Sequence, residues 1–183
     1  MPKVQYTEAK GLHQVTGKGV SMEVLGSTLG EAARISTAAP TALANGFSGA
    51  LASNTHYLNP TDGNAFTATL PVAAASKAGD VIIVDFDTVL GNGQLAKFGT
   101  AGADLALGSK LVHPAGTTLG ISAVDRSVAG DDFLNIDGLT NYGANVGSRV
   151  MFRYTGSAWY ADALVLPAGN GTASNSDTKF HTS

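Results

Sequence analysis

Alternation of apolar and polar residues is clearest near the C-terminal end of the chain. From Val150 to Tyr154 every second residue is apolar, and a period of two places those side chains on one face of a half-buried strand. Gly156 and Ser157 follow, which is the Gly-X pattern of a two-residue type II′ turn. Residues 159–164 then form a second candidate strand. The pattern therefore predicts a β-hairpin over residues 148–164.

Other short segments show the same preference for strands, and turn-forming residues separate them. The segments are residues 55–58, 65–70, 80–86, 94–98, 117–124 and 133–136. The run 80–86 is almost continuously apolar, so we expect both of its faces to be covered. About eight short strands with Gly-rich turns predict an all-β fold, an antiparallel β-sandwich or a jelly-roll-like barrel, over residues 51–168.

The two ends of the chain lack this pattern. We expect residues 1–50 to form an extended N-terminal arm that becomes ordered on a neighbouring molecule, because they contain little apolar surface to bury. A short helix near residues 20–33 is an alternative, although Gly26 and Gly30 within it disfavour it. We expect residues 169–183 to form a loose tail.

Composition disfavours several functional classes. The 183 residues contain 14% charged residues and 23 glycines, and their net charge is -3. Nucleic-acid binding requires clustered Lys and Arg, so we do not expect a nucleic-acid partner. No apolar run approaches the roughly 20 residues of a membrane span, and no signal peptide is visible. The chain has no cysteine, which excludes disulfides and thiolate chemistry.

Catalytic motifs are incomplete. Gly17-Lys18-Gly19 has Gly where a P-loop has Ser or Thr, and Gly46-Phe47-Ser48-Gly49-Ala50 has Ala where a nucleophile elbow has Gly. The four histidines form no metal-binding pair, and neither 85–87 nor 131–138 fits the spacing of a calcium loop. We therefore predict no enzymatic activity, no cofactor and no metal site.

The aromatic residues Phe152, Tyr154, Trp159 and Tyr160 lie in the predicted hairpin, and we expect them to act as core or interface anchors. A sugar-stacking role for Trp159 is an alternative. Arg149 and Arg153 lie two residues apart on one face of the same strand. They either meet an acidic partner or are simply solvated, and the pattern favours solvation.

Three segments resemble the β-rich domains of capsid decoration (cement) proteins and head fibres of tailed bacteriophages. The first is a Leu-Pro-Ala-rich segment followed by Gly and an apolar strand, residues 65–84. The second is residues 133–138. The third is an apolar strand, a Gly-Ser turn and Trp plus an aromatic residue, residues 150–160. The resemblance covers about residues 55–166.

The resemblance implies a virion structural protein that decorates and stabilises the outer capsid lattice by binding the major capsid protein, as a homotrimer and without catalysis. The predicted arm then supplies the docking residues Tyr6, Lys10, Leu12 and Lys18. One alternative is a tail or fibre adaptor, or head-binding protein, of the same particle. A second alternative is a carbohydrate-binding module. We expect neither a nucleic acid nor a membrane as partner.

Overall fold

The computed structural model describes residues 3–7, 11–16, 23–24, 27–28, 39–101, 105–114, 121–138, 144–166 and 179–181. The chain divides into two compact units, Met1–Arg34 and Ile35–Ser183. The described residues are mostly strands, and their helical content is a single 3-10 turn, Ala73–Ala75. The predicted all-β class is therefore confirmed for the described part of the chain.

The first unit contains two short antiparallel pairs. Strand β1 (Lys3–Thr7) pairs with β2 (Gly11–Thr16), and β3 (Glu23–Val24) pairs with β4 (Ser27–Thr28). The second pair lies where the sequence allowed a short helix, and its described residues are strands instead.

The second unit contains two mixed sheets. Its strands are β5 (Thr41–Ala42), β6 (Ser48–Ala50), β7 (Thr55–Leu58), β8 (Phe66–Leu70), β9 (Val81–Asp85), β10 (Leu95–Thr100), β11 (Lys110–Pro114), β12 (Ile121–Arg126), β13 (Phe133–Asp137), β14 (Arg149–Tyr154), β15 (Trp159–Leu164) and β16 (Lys179–His181). The five-stranded sheet has the order β16-β13-β10-β8-β6, and the seven-stranded sheet has the order β12-β11-β15-β14-β9-β7-β5. The twelve strands among the described residues of this unit exceed the eight expected.

From β5 to β10, successive strands alternate between the two sheets. Strands two steps apart in sequence therefore lie side by side and run parallel, as in the pairs β5–β7, β7–β9, β6–β8 and β8–β10. The pair β11–β15 is parallel too. The expected purely antiparallel arrangement is wrong, because a strand that crosses to the other sheet does not pair with its predecessor. We call residues 41–100 the parallel region.

Buried side chains from both sheets form one hydrophobic core. The ring of Phe98 on β10 lies 5.3 Å from that of Phe152 on β14, centroid to centroid, and 5.6 Å from that of Phe66 on β8. On β9, Ile82 and Val84 are fully buried, whereas the alternate positions are half-buried. The continuous apolar run thus marks a strand with one core face and one partly covered face.

Both ends of the predicted domain differ from expectation. Strands β5 and β6 belong to the two sheets, although the sequence placed residues 1–50 in the arm. Strand β16 pairs with β13, although the sequence placed residues 169–183 in a loose tail. Backbone hydrogen bonding to a neighbouring strand explains both, because such pairing needs no strong side-chain pattern in the added strand.

Candidate functional site

The predicted C-terminal hairpin positions the four aromatic anchors. In it, Tyr154 pairs with Trp159, and the N–H of Thr155 donates to the carbonyl oxygen of Ala158 at 2.9 Å. Gly156, the first residue of the turn, has a φ of 99°, a value that L side chains rarely adopt. The hairpin prediction is therefore confirmed.

Three of the anchors lie in the core. Phe152, Tyr154 and Trp159 are buried, and the rings of Tyr154 and Trp159 are 5.3 Å apart. The Trp159 side chain is only 2% exposed, and its indole Nε1–H donates to the carbonyl oxygen of Pro71 at 2.9 Å. Tyr160 points to the opposite face and is half-buried. Trp159 therefore offers no open ring to a sugar.

The face of the seven-stranded sheet opposite the core gathers charged, aromatic and apolar side chains. We call it the arginine face, and define it by His56, Ile83, Asp85, Lys110, Arg126, Arg149, Met151, Arg153, Tyr160, Asp162 and Leu164. Cross-strand pairing places Ile83 and Asp162 on either side of Met151, and Asp85 and Leu164 on either side of Arg149. Lys110 lies between Asp162 and Arg126.

Asp85 is the centre of the polar contacts on the arginine face. Its Oδ1 accepts a hydrogen bond from Arg149 Nε at 2.5 Å, and its Oδ2 accepts one from Arg149 Nη2 at 2.7 Å. His56 Nε2 lies 2.8 Å from the same Oδ2. The hydrogen bonds from Arg149 lower the pKa of Asp85 below its ordinary value, and partial burial opposes this effect. Asp85 in turn raises the pKa of Arg149.

Two further contacts order the side chains of this face. Lys110 Nζ lies 3.2 Å from Asp162 Oδ2. The guanidinium carbon of Arg153 lies 5.6 Å from the centre of the Tyr160 ring, within cation–π distance. Between these polar groups, Met151 is 37% exposed and Leu164 is 42% exposed. The arrangement surrounds open apolar side chains with oriented charges, as protein-binding surfaces do.

A second exposed apolar feature lies on two turns. Leu107, between β10 and β11, is 76% exposed, and Val128, between β12 and β13, is 62% exposed. The carbonyl oxygen of Ala106 joins the turns, because it accepts hydrogen bonds from Ser109 Oγ and from Ser127 Oγ, each at 2.9 Å. These hydrogen bonds connect the two turns that carry the exposed side chains.

The outward face of the five-stranded sheet has a different character. Most of its described residues are small or polar, and they include Ser48, Ala50, Thr67, Thr69, Lys97 and Gly99, beside Leu95 and Phe133. Lys97 Nζ lies 3.6 Å from the centre of the Phe133 ring. A Cβ added to Gly99 would lie 2.6 Å from Phe133 Cε1, so glycine makes room for this ring. Among the described residues, no exposed large apolar side chain lies on this face, whereas Met151 and Leu164 lie on the arginine face.

The predicted docking residues are only partly described. Tyr6 and Leu12 are cross-strand partners in the β1–β2 pair. Lys10 and Lys18 lie outside the described residues, as does the incomplete P-loop motif around Lys18. Ser48 of the incomplete nucleophile motif lies on strand β6 and is exposed.

The oxygen-rich segments serve as structural contacts in this fold. Asp85 binds Arg149, as described, and Asp131 Oδ2 accepts the backbone N–H of Val128 at 2.7 Å. Across the residues that the structure describes, no group of three or more His, Asp or Glu could hold a metal ion. Within the same residues, no helix is long and apolar enough to cross a bilayer.

The Asp85 cluster was not predicted from the sequence. Its members lie 29 and 64 residues from Asp85, on three different strands. The alternation in 148–155 correctly placed Arg149 and Arg153 on one face, but it did not indicate which strand would lie beside them. Arg149 turns out to be paired with a carboxylate, whereas Arg153 lies over an aromatic ring.

Comparison with known proteins found no match, either among protein-family models or among curated proteins.

Proposed function

We propose that this chain is a virion structural protein that decorates and stabilises the outer capsid lattice by binding the major capsid protein. The observation that carries the proposal is the arginine face, where exposed Met151 and Leu164 lie among oriented ion pairs. Exposed apolar side chains rimmed by polar groups mark protein-binding surfaces. The resemblance of residues 55–166 to decoration and head-fibre domains suggests which kind of partner covers it.

The two sheets suit a rigid decorating body. We propose that they form a β-sandwich, because Phe98 of one sheet contacts Phe152 of the other. Five parallel strand pairs speak against the strictly antiparallel order of a jelly roll. A stiff β domain can bind by shape and buried surface and needs no titrating groups.

In this proposal the two units of the chain have different roles. The first unit, Met1–Arg34, docks on the capsid through Tyr6, Lys10, Leu12 and Lys18. Three copies associate as a homotrimer, which covers sheet edges that a lone β domain leaves open. Many copies on one shell make weak individual contacts sufficient through avidity.

Add-back to capsids tests the proposal. Heads of the encoding virus that lack this protein are mixed with purified protein, and bound protein is measured after sedimentation. We expect binding at hundreds of copies per head and slower rupture of the decorated heads on heating. Absence of binding, together with unchanged rupture, would refute the capsid role.

A tail or fibre adaptor of the same particle is the second candidate, because the resemblance also includes head fibres. Copy number separates the two functions: a fibre component is present at tens of copies per particle. Gel densitometry of purified particles decides between them.

A carbohydrate-binding module is the least supported candidate. Its main residue, Trp159, is buried and bonded to Pro71, which leaves half-buried Tyr160 as the aromatic side chain on that hairpin's outward face. A glycan array with no hits removes this alternative.

A further inference from the structure

The second unit distributes its charges unevenly. Residues 35–183 contain seven Lys and Arg and eleven Asp and Glu. Of these, the arginine face carries four basic residues, Lys110, Arg126, Arg149 and Arg153, and two acidic residues, Asp85 and Asp162. All three arginines of the unit are on this face. An acidic unit therefore presents one locally basic surface.

Arg153 is the side chain of this surface that is best placed to bind a new partner. On the arginine face, Arg149 and Lys110 form ion pairs with Asp85 and Asp162, whereas the described contacts of Arg153 include no ion pair. Arg153 is exposed, and its described contact is the ring of Tyr160. Stacking on an aromatic ring orients a guanidinium and leaves its N–H donors available to a carboxylate.

The apolar side chains define the rest of the complementary surface. Met151 on β14 lies opposite Asp162 on β15, and Tyr160 is its diagonal neighbour on that strand. Leu164 on β15 lies opposite Arg149. A purely acidic polymer would leave these apolar side chains uncovered. The partner surface that complements the arginine face therefore combines carboxylates with apolar groups.

The size of the face indicates how it is used. Six strands at about 4.8 Å spacing and about 20 Å length cover a flat area of roughly 600 Å². A stable soluble complex usually buries about 800 Å² per partner. One contact of this size is weak, so the face suits a partner that presents many copies in a fixed array.

We propose that the arginine face docks on an acidic, partly apolar protein surface that is repeated in an assembled lattice, with Arg153 as its main contact to a carboxylate. This inference rests on the proposed function, since it names the chemistry of the capsid surface that the second unit meets. It specifies which partner chemistry the arginine face recognises and which side chain makes the main contact, beside the docking residues proposed for the first unit.

A binding assay with defined polymers tests this chemistry. Purified full-length chain is passed over surfaces coated densely with poly-L-glutamate or with a random copolymer of glutamate and tyrosine. The whole chain has a net charge of -3, so retention requires a local basic surface. We expect stronger retention on the copolymer, and about tenfold loss when salt rises from about 50 to about 500 mM.

Charge reversal locates the site. Arg153→Glu should weaken retention about tenfold. The matched control is Lys97→Glu, which also reverses the charge of a cation that lies over an aromatic ring, but on the other sheet. It should change retention by no more than about twofold. Circular dichroism of both variants verifies folding, and Arg153→Gln gives a milder change that should weaken retention by a smaller factor. No retention of the wild type, or equal effects of the two reversals, would overturn the proposal.

Capsid add-back separates this inference from the proposed function. If the wild type binds heads and Arg153→Glu binds equally well, the decoration role stands and the arginine face is not its docking site. If the wild type is retained by the copolymer but does not bind heads, the acidic-surface chemistry stands and the capsid role fails.

Discussion

The parallel region and the C-terminal hairpin β14–β15 use the same kinds of residue but organise their strands differently. In the hairpin, each residue pairs with a partner at most 15 positions away, from Tyr154–Trp159 to Arg149–Leu164. In the parallel region, successive strands lie in different sheets, and strands two places apart pair with each other, as Thr67 of β8 does with Lys97 of β10. The difference shows that a turn signal ends a strand without deciding which sheet receives the next one.

The two regions also satisfy their polar groups differently. The hairpin turn closes on itself through Thr155 and Ala158. In the parallel region, buried Asn59 binds a distant connection: its Nδ2 donates to the carbonyl oxygen of Thr88, and its Oδ1 accepts the N–H groups of Asp87 and Thr88. Asn54 similarly bonds Asp80 and the N–H of Val81. The side-chain amides of Asn54 and Asn59 thus connect the ends of β7 to the start of β9 and to the residues just after it.

The largest effect is expected at Trp159. Trp159→Ala should lower the free energy of unfolding by about 3 to 5 kcal/mol, because it leaves a cavity and removes the indole hydrogen bond to Pro71. Urea unfolding followed by circular dichroism measures it. Trp159→Phe is the control, which keeps most of the volume and should cost less. A melting temperature that hardly moves would place the ring outside the core.

Asn59 tests whether side-chain amides hold the parallel region together. Asn59→Ala should cost about 2 to 4 kcal/mol, because two backbone N–H groups and one carbonyl lose their partner at a buried site. The exposed turn residue Asn92 is the matched control, and Asn92→Ala should change stability by about 0.5 kcal/mol or less. Equal effects of the two substitutions would contradict the assigned role.

Gly156 tests how far the hairpin depends on its turn. Gly156→Ala should cost about 1 to 2 kcal/mol, because its φ of 99° is unfavourable for alanine. Ser157→Ala in the same turn should cost less. Chemical denaturation of both variants measures the difference, and a neutral Gly156→Ala would show that the turn accommodates a side chain.

Asp85 connects the two regions, because β9 of the parallel region pairs with β14 of the hairpin. Its lowered pKa means that the ionised form stabilises the fold. This contribution is present above the unfolded pKa of about 3.9 and is lost as pH falls through the lower folded value. At pH 7, Asp85→Asn should cost about 1 kcal/mol or less. Urea titrations at several pH values should show wild type and variant converging in acid; a constant difference would contradict this assignment.

Removal of the first unit should have the smallest effect on the core. A chain that begins at Ile35 should keep the main melting transition within about 2 °C, because the core side chains belong to the second unit. Calorimetry measures the transition. From the proposed function we also expect the shortened chain to bind heads more weakly than the full chain. Loss of cooperative unfolding would show that the first unit contributes to this core.

Sequence patterns located several strands well. Strands β7, β8, β9, β13, β14 and β15 lie within a residue or so of the predicted segments. These strands carry apolar side chains at alternate positions, so their buried faces are evident locally. Strands β5 and β6 consist of Thr, Ala, Ser and Gly, and they have no such signal. Their order comes from pairing with β7 and β8.

The candidate site was predictable only in part. Alternation placed Arg149 and Arg153 on one outward face and Phe152 on the core face, as found. It did not indicate that Asp85 and His56 would lie beside Arg149, or that Arg153 would stack on Tyr160. Those contacts depend on which strands are neighbours.

By itself, the sequence determined the β class, the hairpin around Gly156 and the buried side of β14, because alternation and turn residues act within a few positions. Only the tertiary structure decided that β5 to β10 alternate between two sheets and pair in parallel with one another, and that three arginines share one surface. The physical reason is that the burial of side chains far apart in sequence decides which strands pair. The pairing then decides which charged side chains lie next to one another on the outward face.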